Sequence, residues 1–364
     1  MKSVFILIFI AIGFSLSASI GTITEIDGKV AFIKKYDGSG FKKLSAKTDI
    51  DKGDIIRTSG NTMVFLKFDD NSELIVYPKS IVKIDKNITD KNESKSLTLF
   101  SGKLWARVRK RITKKNFFKI NTPTATAGVR GTSFGVSVAP NGSSFVKVKK
   151  GRVLFDSDID PKVLKEEDLK KEKSTDESTQ NDNGMQPHEL RINTSSINRV
   201  DDSIDVDIVT GLKRKSIILY KDSAASFRLN KGIKPEALIP AGQFEEEEKM
   251  PEDPEERKKI IAWHISNLQH RVKTAKQLMF KVTKIAAGIE SMKADKKFTV
   301  EQISSTTKKG KKEIEHISET VEDISNAMDA QLYFLENYAK DDPDVKKIME
   351  EHEKFVEEKS KVIK

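Results

Sequence analysis

"NTPTATAGVRGTSFGVSV", residues 121–138, has no acidic side chain, is rich in Thr, Ala and Gly, and is broken by a single Arg130. Gly128-Val129-Arg130-Gly131 superficially resembles a phosphate cradle. Such a cradle needs a helix behind its glycines, so that backbone N–H groups and the helix dipole converge on the anion. The glycines here lead instead into "TSFGVSV", an alternating run with β-branched residues, which reads as a strand. Ser133 lies in Gly131-Thr132-Ser133-Phe134-Gly135, which matches the letters of the G-x-S-x-G elbow, but a nucleophile elbow needs a helix after its serine and the run that follows here alternates as a strand. The stretch therefore reads as demanding β-structure. Pro123 marks a strand end, Ala125 and Ala127 allow close packing, and Gly128 and Gly131 permit turns or a backbone approach that a Cβ would block. Arg130 has five donors and no carboxylate nearby in sequence, so it is expected to bond backbone carbonyls or an acid elsewhere in the sheet.

The flanking sequence is built the same way. "GTITEIDGKVAFIKK" holds two β-rich runs around Asp27-Gly28, the signal of a hairpin. "TMVFLKFDDNSELIVY" alternates Val64 and Leu66, turns at Asp70-Asn71, and resumes with Leu74 and Val76. "SLTLFSGKLWARVRK" places Gly102 at a further turn, between Leu97-Leu99 and Leu104-Ala106-Val108. Short strands at this spacing predict an all-β domain, an antiparallel sandwich or meander, over residues 19–155.

The N-terminus indicates the compartment. "MKSVFILIFIAIGFSLSA" has one lysine, an apolar run from Val4 to Leu16 and small residues at Ser15, Ser17 and Ala18, the layout of a signal peptide over residues 1–18. The run is shorter than the roughly 20 residues a membrane span needs. A periplasmic, exported protein is expected, with an uncleaved anchor as the alternative. Cysteine is absent, so no disulfide and no N-terminal lipid attachment is available. Residues 19–155 carry 27 Lys and Arg against 12 Asp and Glu. Export separates the protein from nucleic acid and leaves lipid headgroups, in peripheral membrane contact, or cell-wall polymers as anionic partners. A solvated lysine-rich surface with no specific partner explains the same excess.

Beyond the strands the composition changes twice. Residues 156–187 contain no aromatic side chain and few apolar ones, which predicts a disordered acidic insert. Residues 188–242 return to a β-pattern and read as the closing strands of the same domain, with a linker at 243–252. Residues 253–364 are helical. Ile261, Ile265, Leu268, Val272, Ala275, Met279, Val282, Ala286 and Ile289 form one a/d seam over about four heptads. A second seam runs through Ile303, Thr307, Gly310, Ile314, Ile317, Val321, Ile324 and Met328, and a third through Val345, Ile348, His352 and Phe355. Asp253-Pro254, Thr299 with Gln302, and Asp342-Pro343 supply the N-caps. With only "ADKKF" between them, the first two helices should form an antiparallel coiled-coil hairpin whose third helix covers one end. The seams can close within one chain or between chains, as a homo-oligomer.

Catalytic constellations are missing. The five histidines, His188, His264, His270, His316 and His352, show no metal-binding spacing, so neither metal nor cofactor is expected and the protein reads as a non-enzyme. Trp105 lies among Arg107, Arg109, Lys110 and Arg111, residues that could form a surface-binding cluster. The alternation puts Leu104, Ala106 and Val108 on one face and Trp105 with Arg107 and Arg109 on the other. Trp105 then either packs or anchors at the surface.

"TPTATAGVRGTSFGVSV", with "LFSGKLWARV" and "FFKINTP" before it and "SFVKVKKGRVLF" after, resembles the FecR domain. "KGDIIRTSGNTMVFLKFDDNSELIVY" is similar to an earlier stretch of that family, and residues 206–242 to its closing strands. The resemblance implies a periplasmic β-domain in which Thr122, Pro123, Gly128, Arg130, Gly131 and Thr132 form the family motif, structural or in contact with a ligand. Well-known members pass a periplasmic signal to a cytoplasmic sigma-factor-binding segment. Here only the signal sequence precedes the β-domain, so the anti-sigma part of that plan is not expected. The expected function is a non-enzymatic envelope protein that binds a protein or cell-wall partner through the β-domain and the helices. The alternative is a membrane-anchored periplasmic signal transducer.

Overall fold

The computed structural model describes residues 19–36, 38, 40–85, 95–109, 118–129, 131–158, 200–206, 213–228, 232–236, 249–295 and 297–363. Its β-rich part is two sheets around one core, with three helices after them. The first sheet runs in the order β4 (Asp49–Ile50), β1 (Gly21–Asp27), β6 (Met63–Phe68), β7 (Glu73–Val76), β9 (Lys95–Arg107), β12 (Ser133–Val138), β13 (Ser144–Lys150), β17 (Ser223–Arg228) and β18 (Gly232–Glu236). The second runs β3 (Lys42–Lys43), β2 (Ala31–Lys34), β5 (Ile55–Thr58), β8 (Ile81–Ile84), β9 again, β10 (Phe118–Asn121), β11 (Thr126–Val129), β14 (Val153–Asp158), β16 (Lys213–Leu219) and β15 (Val200–Val206).

Alternation explains which side chains meet. Val64, Leu66 and Phe68 point inward on β6, and Leu74 and Val76 on β7, with Val64 opposite Val76 and Leu66 opposite Leu74. The turn between them uses Asn71 at φ 61°, with Asp70 Oδ1 accepting from the Ser72 N–H at 2.9 Å. This hairpin is the one its sequence announces.

Two other expected hairpins are not formed. The runs on either side of Asp27-Gly28 become β1 and β2, which lie in different sheets. Ile23 and Ala31-x-Ile33 supply the same core from opposite layers, and Gly28 at φ 121° turns the corner between them. Gly102 is likewise no hairpin turn. β9 is one 13-residue strand whose first half pairs with β8 and β10 and whose second half pairs with β7 and β12. It therefore joins both sheets, and Gly102 at φ 86° is the bend where it changes layer. The β9–β10 pairing is parallel, in a domain whose other recorded pairings are antiparallel.

β14 continues past residue 155 to Asp158, and β16 and β17 pair with β14 and β13. The expected insert at 156–187 thus falls mostly on residues outside those described, between two strands of one sheet. The signal peptide lies outside them as well, as does most of the 243–252 linker.

Helices α1 (Pro254–Ala294), α2 (Val300–Ala339) and α3 (Pro343–Val362) begin at the expected caps. Asp253 accepts from the Glu255 N–H, Asp342 from the Asp344 N–H, and Thr299 with Gln302 forms a reciprocal capping box. α1 and α2 pack antiparallel, and their seams are buried within one chain from Leu268 to Val282 and from Ile317 to Met328. Val345, Ile348, His352 and Phe355 are the buried side chains of α3, as its spacing predicts. Toward the hairpin tip the seam thins. Ala286 is exposed, and Gly310 is buried against Ile285 and Ile289, where an added Cβ would come within 2.7 Å of Ile289.

Candidate functional site

The helices do not hang from the sheets on a tether; they dock on the Thr122-Pro123 turn. The turn is self-braced. Thr122 Oγ1 accepts from the Ala125 N–H at 2.9 Å, and Ser144 Oγ lies 2.7 Å from Thr122 Oγ1 and 2.6 Å from Thr124 Oγ1. Thr124 Oγ1 donates to the Gly142 carbonyl at 3.0 Å, so the turn after β10 is tied to the turn before β13. All of these hydroxyls are buried. What the turn leaves over is the Pro123 carbonyl, and it receives a hydrogen bond from outside the β-domain.

Arg271 of α1 supplies that bond. Its side chain is buried, and Nη1 donates to Pro123 O at 2.7 Å and to Gln331 Oε1 of α2 at 3.0 Å. Gln331 Nε2 donates to the His264 carbonyl at 2.9 Å and lies 3.2 Å from His264 Nδ1. His264 Nε2 lies 3.2 Å from the Asn141 carbonyl. The partners settle the tautomer. A carbonyl requires a proton on Nε2, and the Gln331 amide requires a lone pair on Nδ1. Burial is the main reason that His264 is held down at about 3, with the Arg271 charge adding to it against the Asn141 bond. His264 also fills the space beside Gly142, at φ 85°, where a Cβ would stand 2.6 Å from the ring. Trp263 packs against Phe227 of β17 and His264 against Phe334 of α2, sealing this end.

A second contact lies along α2. Lys83 of β8 donates to Asp329 at 2.6 Å and to Asn326 at 3.1 Å, and Lys119 of β10 donates to Asp323 at 2.6 Å. Phe100 meets Tyr333 at 5.5 Å between ring centroids. Lys83 also stands 3.8 Å from Asp85, which accepts from Ser96 and Thr98 at 2.8 Å inside the sandwich. Burial raises the Asp85 carboxyl to about 6, opposed by Lys83 and the two hydroxyls. Asp329 is held below the usual carboxylate range, because Lys83 and His352, 3.4 Å away, outweigh its burial.

The seam has a pH signature. His264 binds a proton near 6.5 when unfolded and near 3 when folded, so the unfolded state takes up more protons in that window. Its contribution is whole above about 6.5 and is lost as pH falls toward 3, at up to ~1.4 kcal/mol per pH unit. Asp85 acts oppositely between about 4 and 6, gaining stability as it protonates. Urea unfolding at pH 7, 5.5 and 4.5 should therefore show a small wild-type slope. His264→Gln should turn it toward greater stability at low pH; an unchanged slope would refute the neutral buried histidine.

The expected motif residues divide between two places. Thr122 and Pro123 lie under the helices. Gly131, at φ 71°, and Thr132 lie at the other end of β11, where Thr132 Oγ1 donates to the Arg152 carbonyl at 2.8 Å and braces the turn between β13 and β14. Gly128 needs no glycine for space: it pairs with Lys119 and Leu154, and a Cβ would meet nothing nearer than 3.9 Å. Arg130, Lys110 and Arg111 fall outside the described residues. Trp105 lies on the outer face of its strand, half-buried, and donates to Ser133 Oγ at 3.1 Å; Arg107 pairs with Glu73 at 3.1 Å and Arg109 is exposed. Among the described residues, no group of three or more His, Cys, Asp or Glu is placed to hold a metal ion.

Periodicity alone does not single out Arg271, His264 and Gln331 as a site, because the apolar seam dominates the pattern. A signal exists: His264, Asn267, Arg271, Thr274 and Leu278 recur at spacings of three and four on α1, a second stripe beside the first. Polar side chains on such a stripe are ordinarily solvated, and here His264 and Arg271 are buried where they meet the Asn141 and Pro123 carbonyls of the β-domain.

Residues 54–154 match the family described as FecR protein. Two crystal structures of a candidate anti-sigma factor from Parabacteroides distasonis, at 1.65 and 2.50 Å resolution, are similar at 12% identity and a TM-score of 0.31. The likeness covers 50% of this chain and 59% of that one, and is too distant to bear on function. No curated protein matches. The matched span begins at Asp54, whose buried carboxylate accepts from Lys35 and from the Asp51 and Tyr36 N–H groups, and it ends within β14. Over that span the chain is similar to the FecR protein family, and its two sheets extend beyond the matched residues on both sides.

Proposed function

We propose that this chain is a non-enzymatic, exported envelope protein, in which the FecR domain and the C-terminal helices work together as a binding module for a protein or cell-wall partner. The observation that carries the reading is the docking seam. Arg271, Gln331 and His264 bind the helices to the Thr122-Pro123 turn through buried hydrogen bonds, so the domain holds a helical arm in a set direction. Its most perturbed side chains are buried and engaged in packing, which suits a scaffold better than a reaction centre. The seam residues of the helices are already used within one chain, so the partner is better sought at the arm's exposed half than at a second copy's seam. The reading needs neither cofactor nor nucleic acid.

Crosslinking in intact cells, with subsequent recovery of the chain, tests it. A specific adduct with an envelope component is expected, and recovery only as a free species would refute the reading. The FecR domain itself favours a second reading, a transducer held in the membrane by an uncleaved N-terminal segment. Mass spectrometry separates the two: a mature chain starting near Ser19 supports the exported module, and an intact Met1 supports the transducer. No described helix is long and apolar enough to cross a membrane.

A further inference from the structure

The helical arm has two unlike halves. Near the β-domain, α1 and α2 are flanked by α3, whose far end is fixed by Lys359 to Glu322 and Ser325 and by Glu358 to Lys276. Past Val362 and Ile363, which still pack on the helical core, α1 and α2 are the helices that the described residues show between Phe280 and Glu313. At 1.5 Å per residue the bare half extends about 20 Å past the last α3 contact.

Its surface is unusual for an exposed hairpin. Val300 is 83% exposed and Phe280 60%, and Phe298 is exposed beside Val300 at the tip. Residues 280–313 hold nine lysines against four acids. Lys281, Lys284, Lys293, Lys297, Lys308 and Lys309 are all exposed. Lys273, Lys276, Lys281 and Lys284 line one groove with Phe280 and with Glu351 of α3, Lys276 being paired with Glu358, and Lys284 Nζ stands 5.0 Å from the Phe280 ring. The tip itself is tightly built: Asp295 accepts from the Lys297 N–H at 2.9 Å, and the Thr299–Gln302 capping box starts the next helix. Phe298 and Val300 are thus presented on a short, hydrogen-bonded corner.

Apolar side chains at the end of a projecting, lysine-rich arm match the chemistry of an anionic bilayer surface. The lysines meet the headgroup charge, their alkyl stems lie along the interface, and the aromatic and branched side chains enter the acyl boundary. A soluble polyanion would use the charge but leave Val300 and Phe298 in water. We propose that the bare half of the hairpin docks tip-first on anionic lipid, with Phe298 and Val300 inserted and the surrounding lysines on the headgroups. This rests on the envelope reading above, and it names the surface that the arm meets.

The test is vesicle co-sedimentation of the purified chain. It should bind vesicles containing phosphatidylglycerol, not vesicles of phosphatidylcholine alone, and about 0.5 M salt should release it, since screening at that strength reaches within a few ångströms of each charge. Phe298→Ser with Val300→Ser should lower partitioning about tenfold, and Lys281→Glu with Lys284→Glu should lower it further, all with unchanged helicity because these side chains are exposed. Equal binding to neutral vesicles, no binding at low salt, or an unaffected tip variant would overturn the proposal. So would binding of soluble polyphosphate, unchanged in the tip variant, without vesicle binding. The assay uses purified protein, so it succeeds or fails independently of sorting, which the mature N-terminus reports.

Discussion

Arg271→Leu should lower the unfolding free energy by about 3 kcal/mol and separate the helices from the sheets before either unfolds. The guanidinium is buried and donates to Pro123 O at 2.7 Å and Gln331 Oε1 at 3.0 Å. Bonds from a charged donor contribute roughly 1.5–3 kcal/mol, and each acceptor orphaned in the interior costs about 1–3 kcal/mol. Leucine fills part of the volume and satisfies neither acceptor. The sandwich and the helices have their own apolar cores, so both should survive the loss of the seam. Urea unfolding monitored by Trp263 fluorescence, with hydrogen exchange over residues 263–271 and 323–334, measures the effect. Arg271→Lys should recover little, because a single ammonium cannot reproduce the planar fork. A loss under about 1 kcal/mol with one cooperative transition would show that packing, and not this network, fixes the arm.

Gly102→Ala should be at least as damaging, at about 3 kcal/mol or more. The residue has φ 86°, and an added Cβ would lie 2.6 Å from both the Lys79 carbonyl oxygen and Ser80 Cα. A left-handed conformation alone costs an L-residue about 1–2 kcal/mol. The clash is with backbone, which cannot rotate away as a side chain would. Ser80 Oγ accepts from the Lys103 N–H at 2.8 Å, so shifting Ser80 breaks a bond as well. β9 connects the two sheets, and straightening it would pull Leu97 and Leu99 out of register with Leu104 and Ala106 in the shared core. Chemical denaturation reads the loss, and retention of wild-type stability would mean that the strand can change layer without its glycine.

Both positions show where a sequence stops being informative. Gly102 is visible as a place where the chain needs a special backbone. A glycine with positive φ marks a hairpin turn and a change of sheet equally well, and only the pairing of Leu97 with Ile84 and of Leu104 with Val76 tells them apart. Asp27-Gly28 misleads for the same reason, since local alternation is identical whether two strands pair or face one another across a core. Arg271 is legible as one basic residue among many. Its burial depends on Pro123, 148 positions away. Of the expected motif, Thr122 and Pro123 form the turn that Arg271 of α1 meets, a contact that no local pattern names.

The sequence by itself determined the local structure: β6 and β7 with their turn, the closing strands, three helices with their caps, and the apolar seams that pair α1 with α2 and seat α3. These arise from side-chain periodicity and capping chemistry, which act within a few residues. Tertiary structure alone decided that β9 bridges two sheets, that His264 is neutral and single in tautomer, and that the helices rest on the Thr122-Pro123 turn with their distal half bare. Those outcomes depend on which distant groups exclude water from one another, and burial is a property of the assembled molecule.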